Sequence, residues 1–138
     1  MCWKRKTAEY PLTDRLLTIH GQCFDILADG TGGYRRYTGG GGVAVAYHDG
    51  ARWIDLGQTV IAADGLFQHT VALGYGQYRL SFHVKGRFLG GRFGPFCRWG
   101  VFDQETKVYT FRPRIEDIVQ QAASPQLTGD IIVFVEGT

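Results

Sequence analysis

Residues 78–85 alternate strictly between apolar and polar side chains, and this pattern restricts the fold more than any other in the sequence. A period of two residues is that of a β-strand with one buried and one solvated face. The apolar set is Tyr78, Leu80, Phe82 and Val84, and the polar set is Arg79, Ser81, His83 and Lys85. Residues 66–73 are mostly apolar or β-branched, and Gly74 and Gly76 suit a tight turn. We therefore predict an antiparallel hairpin from these two segments.

Glycine and aromatic residues are both abundant, since the 138 residues include 20 Gly, 9 Phe, 7 Tyr and 3 Trp. Glycine costs about 1 kcal/mol in a helix interior, so this composition favours short strands joined by glycine turns. Turn signals such as Asp49-Gly50 and Asp64-Gly65 recur about every 8 to 12 residues, a spacing typical of sandwiches and barrels. With 44% apolar and 20% charged residues, the chain has the composition of one folded domain.

Runs of apolar and β-branched residues between the turn signals predict further strands. They cover residues 14–20, 22–28, 43–48, 52–56, 58–62, 97–102, 107–112 and 131–135. Residues 131–135 are apolar throughout, so we expect this strand in the centre of a sheet. Ile115, Ile118 and Val119 have helical spacing, which allows one short helical turn. The predicted fold class is all-β: an antiparallel β-sandwich, jelly-roll-like, with an N-terminal arm and at most one short helix.

The sequence divides into an N-terminal arm, residues 1–12, and a single β-sandwich domain, residues 13–138. In the arm, Trp3 and Tyr10 are apolar anchors beside Arg5, and Pro11 disfavours a continuing helix. We expect Trp3, Arg5 and Tyr10 to bind a partner, because aromatic anchors often dominate interface energies. No apolar segment follows the basic start, so we expect no signal peptide, and no apolar run is long enough to span a bilayer.

Two glycine-rich loops, residues 29–42 and 86–96, carry arginines next to aromatic residues. Loops longer than about 12 residues without secondary structure are often functional. Arginine and aromatic side chains can stack on bases or sugars, pair with phosphate, or form adaptable contacts in a protein assembly. The predicted partner-binding residues of the two loops are Tyr34, Arg35, Arg36, Tyr37, Arg87, Phe88 and Arg92.

The residue types that enzymes and metal sites require are scattered along this sequence. Ser81 and Ser124 are the only serines, and neither belongs to a G-x-S-x-G nucleophile elbow. The four histidines form no ligand cluster, although the predicted hairpin would bring His69 and His83 together as a cross-strand pair. No P-loop is present at the glycine runs. We therefore predict no catalytic residues, no metal site and no cofactor.

Cys2, Cys23 and Cys97 are too few for a disulfide framework, and their odd number leaves a free thiol or an intermolecular bridge. Buried or idle thiols are one interpretation. Cys2, on the arm, is the candidate for a disulfide to a neighbouring chain. The formal net charge of +2 lacks the basic excess of a dedicated nucleic-acid binder, so we do not expect a nucleic-acid partner.

The segment GLFQHTVALGYGQYRLSFHVKGR, residues 65–87, resembles carbohydrate-binding and galactose-binding-like jelly rolls, in which a strand of the form G-x-Y-x-L-S-F-x-x-K-G follows a turn. The matching residues are Gly76, Tyr78, Leu80, Ser81, Phe82, Lys85 and Gly86. The resemblance implies a jelly-roll-like sandwich. A lectin-like module of this kind would need exposed aromatic residues, and the candidates are Tyr34, Tyr37, Trp53 and Trp99. Both tryptophans fit a core position equally well.

One compact β domain, an aromatic-basic arm and glycine-rich loops make the chain similar in style to accessory proteins of tailed-phage virions. These include head decoration, neck and tail-attached β-sandwiches with an N-terminal arm. The similarity implies a non-enzymatic structural protein, a capsid or tail component assembled in the host cytoplasm. Its partners would be other proteins of a large assembly and copies of itself, bound through the arm and the glycine-rich loops. We expect no binding to a membrane. The alternative is a carbohydrate-binding module or receptor-binding domain with a glycan as partner.

Overall fold

The computed structural model describes residues 16–27, 31, 33–38, 40–93, 100–114 and 126–136, and these contain ten β-strands and no helix. The strands are β1 (Leu16–Ile26), β2 (Tyr34–Arg36), β3 (Gly42–His48), β4 (Trp53–Val60), β5 (Leu66–Ala72), β6 (Gln77–His83), β7 (Phe88–Phe93), β8 (Val101–Asp103), β9 (Val108–Phe111) and β10 (Gln126–Glu136). The predicted arm and the predicted helical turn at residues 115–119 lie outside the described residues.

The strands form two sheets that pack face to face, which confirms the predicted all-β sandwich. In sheet A, β10 lies between β7 and β1, and the far side of β1 is shared by β5 and β2. In sheet B, the strand order is β4-β3-β6-β9-β8. The arrangement is compatible with a jelly roll, and it confirms the central position predicted for residues 131–135.

One pair of strands departs from the predicted antiparallel pattern. β1 and β10 run parallel, from Leu16 opposite Gln126 to Ile26 opposite Glu136. A parallel pair needs a long crossover connection instead of a tight turn, and here segments from opposite ends of the domain meet in the centre of sheet A. Periodicity identifies the buried face of a strand but not its neighbour, so alternation alone does not predict this pair.

The predicted hairpin of residues 66–85 is wrong, because its two strands belong to different sheets. β5 pairs with β1 in sheet A, and β6 pairs with β3 and β9 in sheet B. The Tyr78 hydroxyl accepts a hydrogen bond from the Gly74 amide at 2.8 Å and donates one to the Ala72 carbonyl at 2.9 Å. The Tyr47 hydroxyl accepts one from the Gly76 amide at 2.8 Å, and a side chain at Gly74 would overlap Tyr47. The glycines therefore permit a close approach of the segment between β5 and β6 to Tyr47 of sheet B.

Aromatic side chains from both sheets fill the space between them. The alternation predicted for β6 is confirmed, since its apolar side chains are buried. The Phe82 ring lies 5.3 Å from that of Phe88 in sheet A, and Tyr78 stacks on Phe111 at 5.4 Å. Full burial of a large apolar side chain contributes about 1.5–3 kcal/mol. The core therefore accounts for much of the high aromatic content.

Parts of both glycine-rich segments are strands and not loops. β2 lies within residues 29–42 and pairs with β1, and β7 lies within residues 86–96 and pairs with β10. Glycine is depleted in strands, so the sequence pattern favours loops. Pairing with long central strands and the burial of Phe88 overcome that preference. β1 and β4 are likewise continuous through Gly21 and Gly57, where the sequence pattern predicts breaks.

Candidate functional site

The structure covers only some of the predicted partner-binding residues. Those of the arm, together with the disulfide candidate, lie outside the described residues: Cys2, Trp3, Arg5 and Tyr10. Cys97 and Trp99 lie outside them as well. Arg87 is exposed just before β7. The others divide between the core and sheet A.

Two predicted partner-binding residues, Tyr37 and Phe88, need correction. Tyr37 is 2% exposed and Phe88 is 1% exposed, so both rings pack in the core and neither faces a partner. The Tyr37 hydroxyl donates to the Gly40 carbonyl at 2.7 Å and accepts from the Lys85 amide at 2.9 Å. Burial raises the pKa of Tyr37. Its role is to tie the segment before β3 to the turn after β6.

Tyr34, Arg35 and Arg36 form β2 at the edge of sheet A, and all three are exposed. The register with β1 places Arg35 opposite Asp25. The Arg35 Nε lies 3.6 Å from the Asp25 carboxylate, and more than half of the arginine side chain is exposed, so this ion pair is worth at most about 1 kcal/mol. Because Asp25 belongs to the inner face, the alternation turns Tyr34 and Arg36 to the outer face.

An apolar patch lies on the outer face of sheet A, where Gln22 and Gln68 are polar neighbours. We term it the sheet A patch and define it by Phe24, Tyr34, Leu66, Ile132 and Phe134. The Phe24 ring centroid lies 5.2 Å from that of Tyr34 and 5.9 Å from that of Phe134. Tyr34 is 61% exposed and Leu66 is 49% exposed, and the other three are half-buried. Ring pairs of this kind contribute about 0.5–1.5 kcal/mol beyond burial, so the rings hold one another in place at the surface.

Two of the predicted arginines border the sheet A patch. The register places Arg36 of β2 next to Phe24, and Arg92 of β7 next to Ile132. Both arginines are exposed, and they lie on opposite sides of the central β1–β10 pair. The fold therefore brings residues from the two glycine-rich segments to one face, as contact residues of a single surface would require.

Sequence reasoning missed Phe24, Ile132 and Phe134, which form the centre of the patch. Residues 131–135 are apolar throughout, a pattern typical of a strand buried on both faces. In the structure, Ile131 and its inward neighbours are buried, whereas Ile132 and Phe134 on the other face are half-exposed. In a sandwich, each sheet has one face toward the core and one toward solvent. A strand that is apolar on both faces therefore exposes apolar residues, which indicates a contact surface.

The outer face of sheet B carries a narrow trough instead of an apolar patch. β3 presents small residues there, since Ala46 lies between Asp55 of β4 and Arg79 of β6, and Ala44 lies opposite Ser81. The resulting cavity has a volume of about 220 Å³. We term it the Trp53 trough; its lining is Ala44, Val45, Ala46, Trp53, Asp55, Arg79 and Ser81.

Trp53 stands at one end of this trough, half-buried on the outer face. The Arg79 guanidinium carbon lies 4.3 Å from the centroid of the Trp53 ring, and the His48 ring makes an edge contact with it at 5.1 Å. A cation–π contact at an exposed site is worth about 0.5–1 kcal/mol. Of the two positions that the sequence leaves open for Trp53, core or surface platform, the structure therefore favours the surface.

A β-bulge shapes the β4 wall of the trough. The pairing of β3 with β4 shifts between Ala44 and Ala46, where Gly57 takes a φ of +95°. The Gly57 amide donates to Asp55 Oδ1 at 2.9 Å and so holds the carboxylate. From sheet A, His69 Nε2 hydrogen-bonds with the Leu56 carbonyl at 2.9 Å. The predicted pairing of His69 with a histidine on β6 is wrong, because β5 and β6 lie in different sheets.

A second cleft, of about 480 Å³, lies beside the end of β6 and the turn between β8 and β9. Gly40, Lys85, Glu105 and Lys107 are among the residues that line it. The Lys107 amino group donates to the Val84 carbonyl at 2.9 Å and so serves the fold. Glu105 adds a negative charge beside the lysines. The cleft has no uniform charge, so it gives no support to a phosphate site at the glycine run.

Cys23 is a free thiol in the core beneath sheet A. Burial, with a smaller contribution from the charge of Asp25, raises the pKa of Cys23 to about 12. The thiol is therefore protonated and a poor nucleophile at neutral pH. Among the residues that the structure describes, no group of three or more His, Cys, Asp or Glu could hold a metal ion.

No model of a protein family matches the chain, and no curated protein matches it. Within the described ranges, no helix has the length and apolar character that crossing a membrane requires. The candidate functional surfaces are the sheet A patch and the Trp53 trough, since these two combine exposure with a distinct chemistry.

Proposed function

We propose that the chain is a non-enzymatic assembly protein that binds a second copy of itself through the sheet A patch. The observation that carries the proposal is the group of three touching rings at the surface, bordered by two exposed arginines. Contiguous apolar surface marks interaction sites, and aromatic residues and arginine are enriched in interfaces. Aromatic anchors often contribute about 2 kcal/mol or more each.

A second copy is the partner we propose first, because the formal net charge of only +2 causes little repulsion between copies. In a two-fold symmetric dimer, the same patch serves both partners. The rings of one copy then pack on the rings of the other. Arg36 and Arg92 at the borders lie where they can contact exposed rings of the partner.

We propose further that the assembly is a virion, in which the chain is a capsid or tail component assembled in the host cytoplasm. The support is the similarity in style to tailed-phage accessory proteins, together with a surface suited to docking. Residues 1–12 would supply a second contact. They precede β1, the strand that carries Phe24 of the patch.

The test is the mass of the full chain in solution, measured by light scattering. We expect an oligomer for the natural chain and a monomer for the double variant Tyr34→Glu/Leu66→Lys, because both substitutions place a charge in the interface. The matched controls are Val60→Lys and Val101→Lys, at residues of sheet B that are each 75% exposed, and these should keep the mass. A monomeric natural chain, or an oligomer that survives the double variant, would contradict the proposal.

The contribution of the arm is tested by deleting residues 1–12. The described strands should stay folded, because the first begins at Leu16, so the circular dichroism spectrum and the melting temperature should be preserved. The shortened chain should no longer be incorporated into particles. Retained incorporation would contradict a role for the arm in assembly. A disulfide through Cys2 would make the oligomer mass fall on reduction and in the variant Cys2→Ser.

A further inference from the structure

The floor of the Trp53 trough is low because β3 contributes alanines there. Ala44 and Ala46 face outward, and Ala46 has Asp55 on one side and Arg79 on the other. The larger side chains on β4 and β6 stand above this floor as two walls. The cavity of about 220 Å³ is open to the solvent, and its size suits one sugar ring better than an extended polymer. Its shape therefore favours a small, flat ligand.

The two walls supply opposite charges. Asp55 and Arg79 both line the trough, and within the described part of the chain no ion pair joins them. The Asp55 Oδ1 accepts from the Gly57 amide, and its Oδ2 makes no hydrogen bond with the described residues. The trough therefore offers a hydrogen-bond acceptor and a donor group with no net charge. A phosphate or an acidic peptide would be repelled by Asp55, whereas neighbouring hydroxyl groups can use both charges.

The aromatic ring at the end of the trough supplies an apolar wall. Arg79 on its face and His48 at its edge restrict the motion of Trp53, so the ring loses little freedom when a ligand binds. C–H groups with a partial positive charge are attracted to the electron-rich indole, as cations are. Because Arg79 covers one face of the ring, the C–H groups of a sugar ring would contact the part of the indole that Arg79 leaves exposed.

We infer that the Trp53 trough binds a neutral saccharide. Trp53 would contact the C–H groups of one ring, while Asp55, Arg79 and Ser81 would hydrogen-bond with its hydroxyl groups. A neutral polyhydroxylated ring satisfies an acceptor, a donor and an apolar wall in a site without net charge. The trough and the sheet A patch lie on opposite faces of the sandwich, so saccharide binding and self-association are independent of one another.

The test is an array of neutral and acidic oligosaccharides probed with the full chain, followed by calorimetric titration with the free glycan of strongest signal. We expect hits among the neutral glycans and a dissociation constant raised at least tenfold by Trp53→Ala and by Arg79→Ala. Trp53→Phe keeps a ring and should retain part of the affinity. Val60→Lys lies on the same strand outside the trough and should bind like the natural chain. Because the substituted positions lie on the outer face, thermal melts should show that every variant is folded.

Three results would overturn the inference. The first is an array without a hit. The second is binding restricted to acidic glycans and strengthened by Asp55→Asn, which would show that the ligand class is wrong. The third is a dissociation constant that Trp53→Ala and Arg79→Ala leave unchanged, which would place the site elsewhere. The variant Tyr34→Glu/Leu66→Lys should bind the glycan like the natural chain, whether or not it remains an oligomer.

Discussion

The two outer faces of the sandwich belong to sheets of five strands each, yet they carry opposite chemistry. On sheet A, Phe24 and Phe134 lie on the two central strands, and arginines lie beyond them. On sheet B, Ala44 and Ala46 line the outer face of β3, with charged residues on both neighbouring strands. One face carries an apolar patch that suits another protein, and the other carries a trough that suits a small polar ligand.

The difference arises entirely at outward positions, since the inner faces are alike. Leu80 of sheet B and Ile131 of sheet A are both fully buried in the same core. Burial of such residues determines the fold, whereas the outward residues beside them are free to carry a function. Outward substitutions should therefore change binding and leave the fold intact.

The largest effect should come from a pair of neighbouring substitutions on β6, one at an inward and one at an outward position. Leu80→Ala removes a fully buried side chain of β6, so the free energy of unfolding should fall by about 2–5 kcal/mol in a urea titration. Ser81→Ala, the next residue and part of the trough, should change it by less than about 0.5 kcal/mol. A large loss from Ser81→Ala would mean that the outer face of sheet B supports the fold and that variants there do not report on binding alone.

The next largest effect should be on self-association, which a substitution on sheet A should weaken and a substitution on sheet B should not. Phe24→Ser removes a ring from the centre of the sheet A patch, at a cost of about 2 kcal/mol in binding, or a roughly 30-fold rise in the dissociation constant. Trp53→Ser removes a ring of similar exposure from sheet B and should leave that constant unchanged. Sedimentation equilibrium measures both. Equal effects of the two variants would show that the faces do not differ in self-association.

The fold class and the buried faces could be predicted because they follow from local periodicity. The alternation of residues 78–85 assigns the buried side chains of β6 correctly, and the strand predicted at residues 43–48 is β3 with one residue added. Two-residue alternation arises within one strand, so a single strand contains all the information that this prediction needs.

Strand pairing could not be predicted, because distant residues decide it. Gly74 and Gly76 look the same in sequence whether the chain turns back within one sheet or crosses to the other. The hydroxyl of Tyr47, 29 residues before Gly76, holds the crossing. Prediction of the sheet A patch is limited in the same way. Arg36 and Arg92 are recognisable in the sequence as contact residues, but the contact of Phe24 with Phe134 depends on the parallel pairing of β1 and β10.

A smaller effect on stability and glycan affinity should distinguish Gly57, in the bulge beside the trough, from Gly40, which lies outside it. Gly57→Ala places a side chain where φ is +95°, so the free energy of unfolding should fall by about 1–2 kcal/mol. It should also weaken glycan binding, because relief of the strain at this φ would shift the backbone amide that holds Asp55. Gly40→Ala is the matched control, since φ is +81° there and no atom lies within 4 Å of an added carbon. It should cost similar stability and leave glycan affinity intact, and equal affinities of the two variants would contradict a role for the bulge.

Alkaline pH should weaken the fold beneath sheet A. The pKa of Cys23 is raised by burial from 9.0 to about 12, so the folded chain holds this proton more tightly than the unfolded chain. Its contribution to stability is therefore complete below about pH 9 and falls as the pH rises toward 12. The slope of unfolding free energy against pH should be shallower in Cys23→Ala, whatever the absolute stability of that variant. An unchanged slope would show that Cys23 does not contribute.

The smallest effect should appear at acid pH and on sheet B. Asp49, in the turn between β3 and β4, accepts hydrogen bonds from the Ala51 and Arg52 amides at 2.8 and 3.1 Å, and these lower its pKa. The contribution of Asp49 to stability is present above its ordinary pKa of 3.8 and is lost as the pH falls through the lower value of the folded state. Asp49→Asn should therefore flatten the acid limb of the stability curve. Its effect on the alkaline limb should be small, because the charge of Asp49 is the smallest of the causes that shift the pKa of Tyr47. An acid limb that Asp49→Asn leaves unchanged would show that the hydrogen bonds from the Ala51 and Arg52 amides do not contribute to the pH dependence.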